Sequence, residues 1–210
     1  MLDFVVRGGP IMIPIVLCSV TALAIVIERF YQLRSAKIDT SDFMEKISTT
    51  VKRNKIMEAL DICDKTPGPI AHIVKAGILK HDRSRAEIKE AIEDAGVHEV
   101  PPLEKRMGML ATIAHISPLL GLLGTVTGMV RCFQIIQAKS TSLHPVSPGD
   151  LAGGIWEALI TTVAGLVVAI PTIVAYNYLV GQIENFVLDM ERSATDLVNL
   201  LTERGKHHEV

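Results

Sequence analysis

Three long apolar blocks with almost no charge constrain the fold of this chain more than any other feature. They cover residues 8–27, 107–130 and 151–183, and together they contain one acid and no Lys or Arg. About 20 consecutive apolar residues are enough for a helix to cross the hydrocarbon core of a bilayer. A soluble domain would spread its apolar residues at helical or strand periods instead. We therefore expect an all-α membrane protein with three transmembrane helices.

The third block is longer than a bilayer requires. Its 33 residues would form a helix about 50 Å long, against a hydrocarbon core of about 30 Å. We expect this helix to project beyond the membrane on one side. The first block ends in Glu28 and Arg29 and lacks the basic start and small-residue cleavage site of a signal peptide, so we expect an uncleaved anchor.

The basic residues predict the orientation of the three spans. Residues 28–106 hold fifteen of the 21 Lys and Arg residues, the segment 131–150 holds two, and the chain after Ile183 holds three. Segments rich in Lys and Arg stay in the cytoplasm. We expect residues 28–106 and the C-terminus inside, and the N-terminus and the short loop outside.

The long segment between the first two spans has the patterns of soluble helices. Ser84 and Glu87 have the spacing of a capping box at a helix start. Pro101 and Pro102 are expected to kink or break that helix just before the second span. A helix over 185–204 places an apolar stripe on one face for packing against a neighbour; its members are Phe186, Met190, Leu197, Leu200 and Leu201.

Several classes of function have no support in the sequence. The net charge is −2, and no basic run is interleaved with aromatic residues, so nucleic acid is not an expected partner. We find no phosphate-binding loop, nucleophile elbow or metal-ligand spacing, and we expect no enzyme activity, no cofactor and no metal. The three cysteines are far apart and are interpreted as small apolar residues.

Glu157 is the unusual residue of the third span. No Lys, Arg or His lies within a helical turn of it. An ionisable group at the bilayer centre costs on the order of 3 kcal/mol on insertion scales, which makes such a residue a functional hypothesis by default. The alternative is that Glu157 lies near the interface and stays hydrated, since it follows the expected helix start by about two turns.

Four threonines accompany this acid: Thr125 and Thr127 in the second span, and Thr161 and Thr162 in the third. Hydroxyl groups can line a wet path for an ion, although each can also bond its own i−4 carbonyl. At 100° per residue, Thr161 lies about 40° from Glu157 and Thr162 about 140°. These angles favour Thr161 as the nearer residue. Which of the two threonines faces the acid is not decided by their spacing alone.

Small residues predict close helix contacts, within one chain or between copies. The second span contributes Gly121, Gly124 and Gly128, and the third contributes Gly154, Ala158, Thr161, Gly165 and Ala169. Three spans form a poor channel alone, so a ring of several copies is expected.

Three further kinds of residue in the spans have weaker interpretations. Pro118 and Pro171 could act as hinges or as static kinks. His115 could relay protons. Arg131 closes the second span, where its side chain could reach the headgroups.

Two stretches together resemble the ExbB/TolQ/MotA proton-channel family: LATIAHISPLLGLLGTVTGMVRCFQ over 110–134 and GGIWEALITTVAGLVVAIPTIVAYNYL over 153–179. The resemblance extends over nearly the whole chain, and the three-span layout is like ExbB and TolQ rather than the four-span flagellar stator subunit. In this family the essential glutamate matches Glu157, and the two pore threonines match Thr125 and Thr162.

The resemblance implies a homopentameric ring in a bacterial inner membrane. Such a ring surrounds a dimer of a single-span, ExbD- or TolR-like partner, and a TonB- or TolA-like protein could join it. Proton flow at this interface drives work at the outer membrane, in transport or envelope integrity. In these terms the expected segments are a periplasmic N-terminus (1–10), transmembrane helix 1 (11–30), a cytoplasmic helical domain (31–106), transmembrane helix 2 (107–136), a periplasmic loop (137–149), transmembrane helix 3 (150–183) and a cytoplasmic C-terminal helix and tail (184–210).

Two departures from the family pattern leave the ion open. Thr127 stands where ExbB often has tryptophan, and Thr161 adds a hydroxyl, so Na⁺ is an alternative to H⁺. The sequence is also compatible with a passive oligomeric scaffold or a self-sufficient channel, although three spans without an inverted repeat disfavour the channel.

Overall fold

A computed structural model describes residues 8–140 and 147–208. This part of the chain is helical and contains no strand. The helices are α1 (Met12–Ala36), α2 (Thr40–Lys52), α3 (Ile56–Lys65), α4 (Pro69–Leu79), α5 (Arg85–Glu104), α6 (Met107–Ser140) and α7 (Pro148–His208). The first seven residues of the expected N-terminal segment, residues 141–146 of the expected outer loop and the last two residues of the tail lie outside the described residues.

The chain divides into two units. The first contains residues 1–28 and 106–178, and the second contains residues 29–105 and 179–210. Helices α1 and α7 each contribute residues to both.

The first unit has an apolar surface. The apolar parts of α1, α6 and α7 are long and apolar enough to cross a membrane. In the most apolar 18-residue stretch of each, only 22–33% of the residues are buried. Leu17, Leu119 and Val167 are each more than 60% exposed. Exposure of this apolar surface to water would be unfavourable, whereas contact with lipid or with neighbouring helices would not be. The all-helical architecture with three such helices matches the expected fold class.

The second unit has an apolar core of its own. Helices α2 to α5 and the C-terminal part of α7 contribute to it. Its most deeply buried members include Ile47, Val51, Ala59, Ile78 and Leu197. The predicted packing stripe of the C-terminal helix is confirmed for Phe186, Met190, Leu197 and Leu201, which are buried, while Leu200 packs at the edge of the core. That helix is not a separate element, because α7 is continuous from residue 148 to residue 208.

The predicted capping box at the start of α5 is confirmed. The Ser84 hydroxyl accepts the Glu87 amide proton, and the Glu87 carboxylate accepts the Ser84 amide proton at 3.0 Å. The Ser84 hydroxyl also donates to the Glu87 carboxylate at 2.7 Å, and this bond, followed by the one from the Ser84 amide, lowers the pKa of Glu87.

The proline pair was expected to kink or break this helix just before the second span, and the helix does end there, two residues after the pair and ahead of α6. Helix α5 contains Pro101 and Pro102 and ends at Glu104. Proline has a helical φ, so its cost is the lost hydrogen bond and the clash with the carbonyl four residues earlier. Those carbonyls belong to Val97 and His98, which are exposed, so water can take the freed acceptors. The Pro102 carbonyl itself accepts from Arg29 Nη1 at 3.0 Å.

Candidate ion-pathway site

Helices α6 and α7 lie in close contact through small residues. A Cβ atom at Gly128 would lie 2.5 Å from the Gly154 carbonyl oxygen and 2.9 Å from Ala158 Cβ. A Cβ atom at Gly154 would lie 2.6 Å from Cys132 Sγ. Real Cβ contacts are at least 3.0 Å, so only glycine fits at these two positions. The two small-residue stripes therefore meet each other within one chain.

The same contact continues along the two helices. A Cβ atom at Gly121 would lie 3.0 Å from the Thr161 carbonyl oxygen, and one at Gly165 would lie 2.5 Å from the Ser117 carbonyl oxygen. At Gly124 an added Cβ would collide with the Thr161 hydroxyl. This backbone-to-backbone approach fixes the register of α7 against α6, and with it the position of Glu157.

The carboxylate of Glu157 is buried and has a cationic partner. Its side chain is 8% exposed, and its Oε2 atom accepts from Arg131 Nη1, whose side chain is 50% exposed. Arg131, for which the sequence offered only contact with the headgroups, also pairs through its guanidinium with the acid. Both residues were visible in the sequence as the lone acid of one apolar span and the base that closes the other. Their meeting depends on the register of two helices, which sequence spacing does not specify.

Gly9 covers the same carboxylate. Its φ is +68°, and a Cβ atom there would collide with Oε1 of Glu157 and lie 3.5 Å from Arg131 Nη1. Left-handed φ values favour glycine, and the contact leaves no space for a larger residue. Gly9 could not be singled out from the sequence as part of the site, although a glycine pair ahead of a span is a turn signal.

The hydroxyl groups of the four threonines bond to backbone carbonyls rather than to the Glu157 carboxylate. Thr161 Oγ1 donates to the carbonyl of Glu157 at 3.0 Å and to that of Ala158 at 2.9 Å. Thr162 Oγ1 lies 3.2 Å from the Gly121 carbonyl on α6 and 3.1 Å from that of Ala158. Thr161 is fully buried and Thr162 is half-buried.

The two threonines of α6 bond within their own helix. Thr125 Oγ1 donates to Leu122 O at 2.6 Å, and Thr127 Oγ1 donates to Gly124 O at 3.0 Å. A hydroxyl oxygen that donates its proton keeps its lone pairs, so each of these groups can still accept a hydrogen bond from water or a hydronium ion.

The remaining residues singled out by the sequence lie away from the acid along their helices. His115 is exposed, and its Nδ1 proton is donated to the Ala111 carbonyl at 2.7 Å, which leaves Nε2 as the free ring nitrogen. Pro118 and Pro171 lie inside α6 and α7. Within the described residues, no group of three or more His, Cys, Asp and Glu residues could hold a metal ion.

Comparison with known proteins identifies the class. The model of the MotA/TolQ/ExbB proton channel family matches residues 65–192, which is more than half of the chain. The chain belongs to this family. It is therefore a membrane protein of a proton-channel type, and its three apolar helices are transmembrane helices. The family consists of transport and channel proteins rather than enzymes.

Individual relatives carry the names ExbB and TolQ. The chain is 34% identical to the biopolymer transport protein ExbB of Salmonella typhimurium over 203 residues, 88% of this chain and 76% of that protein. It is also 34% identical to the Tol-Pal system protein TolQ of Haemophilus influenzae over 173 residues, 77% of this chain and 74% of that protein. The TolQ protein of Pseudomonas aeruginosa is 29% identical over 179 residues, covering 80% and 75% of the two chains.

Proposed function

We propose that this protein is the subunit of an inner-membrane proton channel that works as a motor, coupling the proton motive force to work at the outer membrane. One observation carries the proposal. Glu157 is the single acid of the apolar part of α7 and is buried against α6. A buried carboxylate in a membrane span is expensive, and a proton that arrives and leaves is the simplest reason to keep it.

The family relatives support the coupling to a partner. They carry the names biopolymer transport protein and Tol-Pal system protein. By this likeness we propose a homopentameric ring around a dimer of an ExbD- or TolR-like single-span protein, with a TonB- or TolA-like protein as a further partner. The exposed apolar faces of α1, α6 and α7 would contact lipid and neighbouring subunits. Transport energising and envelope integrity are the two tasks that such a motor could serve.

The orientation proposed for this ring follows the basic residues. The N-terminus and the loop between α6 and α7 face the periplasm, and the segment 31–106 and the tail from residue 184 face the cytoplasm. The apolar spans are residues 11–30, 107–136 and 150–183. In this orientation Glu157 and Arg131 lie toward the periplasmic side.

Two features of the site favour H⁺ over Na⁺ as the ion. A metal cation needs several oxygen ligands at once. The Glu157 carboxylate instead contacts a guanidinium and the Gly9 turn, and the Thr161 hydroxyl beside it bonds to backbone carbonyls. Thr125, Thr161 and Thr162 are proposed to keep the proton path wet rather than to ligate a metal.

Replacement of Glu157 by Gln tests the proposal. Gln keeps the size of the side chain and removes the titrating group, so the variant should assemble normally and lose activity driven by the proton motive force. Glu184→Gln, an exposed acid on the same helix, is the control and should retain activity. Normal activity of the Glu157 variant would reject the proton-channel role, and failure to assemble would favour a passive scaffold.

A further inference from the structure

The only charged residues of two apolar helical segments pair with each other. Arg131 is the one Asp, Glu, Lys or Arg residue between Met107 and Ala138, and Glu157 is the one between Leu151 and Ile183. Cys132, the neighbouring titratable group of α6, donates its thiol proton to the Leu151 carbonyl at 3.4 Å. Among the described side chains, Arg131 is the charged group at this carboxylate.

The two members of the pair differ in their freedom to move. The Glu157 side chain is 8% exposed and lies between α6 and the Gly9 turn, whereas the Arg131 side chain is 50% exposed. A long arginine side chain can leave toward water or phosphate headgroups at the interface, and the acid cannot follow without displacing the turn. Arg131 is therefore the mobile partner.

Arginine also differs chemically from a proton relay. Its guanidinium does not lose its proton in proteins, so the pair cannot be neutralised by transfer of a proton from Arg131 to Glu157. While the guanidinium bonds to the carboxylate, it occupies Oε2, an oxygen that an incoming proton would bind. A proton binds freely only after the guanidinium moves away.

We propose that Arg131 is a gate for the proton site: it holds Glu157 as a closed ion pair at rest, and proton uptake requires its displacement. The proton then resides on a carboxylate oxygen of Glu157, and Arg131 keeps its charge at the interface. The proposal rests on the proposed function of Glu157 as the proton carrier. The closed ion pair gives a reason why the subunit at rest does not conduct protons.

Labelling with dicyclohexylcarbodiimide tests this gate, because the reagent modifies protonated carboxyl groups in membranes. The full-length chain in native membrane vesicles would be treated at neutral pH, and the modified Glu157 peptide quantified by mass spectrometry. Arg131→Gln should label on the order of tenfold faster than the natural protein, the change expected from about 1.4 kcal/mol of lost ion-pair free energy. Arg131→Lys should stay near the natural rate, and Arg192→Gln, an exposed arginine of α7, should not change it.

Equal labelling of Arg131→Gln and the natural protein would overturn the gate. If Arg131→Gln fails to accumulate, the double variant Arg131→Gln/Glu157→Gln decides the matter. Recovery of the double variant would show that Glu157 is charged at rest and needs its counter-ion, as proposed. If the double variant also fails to accumulate, Arg131 acts by packing alone, and the proposal of a gate is rejected.

The labelling result is independent of the proposed function. If Arg131 controls the labelling of Glu157 but Glu157→Gln retains activity, the ion pair stands and the proton-carrier role fails. If Glu157→Gln abolishes activity but Arg131→Gln labels at the natural rate, the carrier role stands and the gate fails.

Discussion

Replacement of Gly128 by alanine tests the contact that positions Glu157. The added Cβ would lie 2.5 Å from the Gly154 carbonyl oxygen and 3.1 Å from the Ala158 amide nitrogen, whereas ordinary contact begins at 3.4 Å. Both obstacles are backbone atoms, so α6 and α7 must separate locally by about 1 Å, and overpacking of this kind costs about 1–3 kcal/mol.

Gly108 supplies the matched control on the same helix, because among the described residues nothing beyond its chain neighbours and its own helix backbone lies within 4 Å of a Cβ added there. Alanine is favoured over glycine in a helix by about 1 kcal/mol at either site, so the difference between the two variants isolates the steric cost. For a chain of this size each kcal/mol shifts the Tm by about 2–4 °C.

The assay is thermal unfolding in detergent, with thiol labelling of Cys132 as the readout, since this cysteine is buried at the contact. Gly128→Ala should expose Cys132 several degrees below the natural protein, and Gly108→Ala should not. Equal transition temperatures for the two variants would refute the close contact of α6 and α7.

Three further predictions test other parts of the structure. Gly9→Ala should reduce proton-driven flux through misplacement of Glu157, since Gly9 has a φ of +68° and no space for a Cβ; normal flux would contradict the contact. Thr162→Val should destabilise the detergent-solubilised chain by about 0.6 kcal/mol more than Thr161→Val, since only the Thr162 hydroxyl reaches a carbonyl of the other helix; equal Tm values would count against that bond. Burial, and then the charge of Asp64, raises the pKa of Cys63 to about 11, so iodoacetamide at pH 8 should alkylate it only after unfolding, and rapid labelling of the folded chain would contradict its burial.

Features that depend on local sequence could be predicted well. Long apolar blocks are sufficient to identify the apolar helices α1, α6 and α7, since length and hydropathy decide whether a helix can cross a bilayer. The capping box at Ser84 depends on residues three apart, and the C-terminal stripe depends on helical periodicity. The end of α5 just before the second span was also predictable, although the helix includes Pro101 and Pro102 in its last turn, where exposed carbonyls lose little by losing a bond.

Features that depend on tertiary register could not be predicted. The sequence singled out Glu157 and its neighbouring threonines, but it assigned no partner to the acid. Arg131 lies 26 residues away on another helix, and Gly9 lies on a turn before α1. Their convergence on one carboxylate requires the particular approach of α6 and α7 that the small residues permit. The threonine hydroxyls likewise bond to backbone carbonyls, an outcome that residue spacing leaves open.

Proton flux is the most direct test of the central claim that Glu157 carries the proton. The complete complex, with its partner co-expressed, would be placed in vesicles with a trapped pH-sensitive dye, and a membrane potential would be imposed. The natural complex and Glu184→Gln should both acidify the lumen, and Glu157→Gln should abolish the flux while the complex elutes at the same size. Undiminished flux through an intact Glu157→Gln complex would contradict the claim.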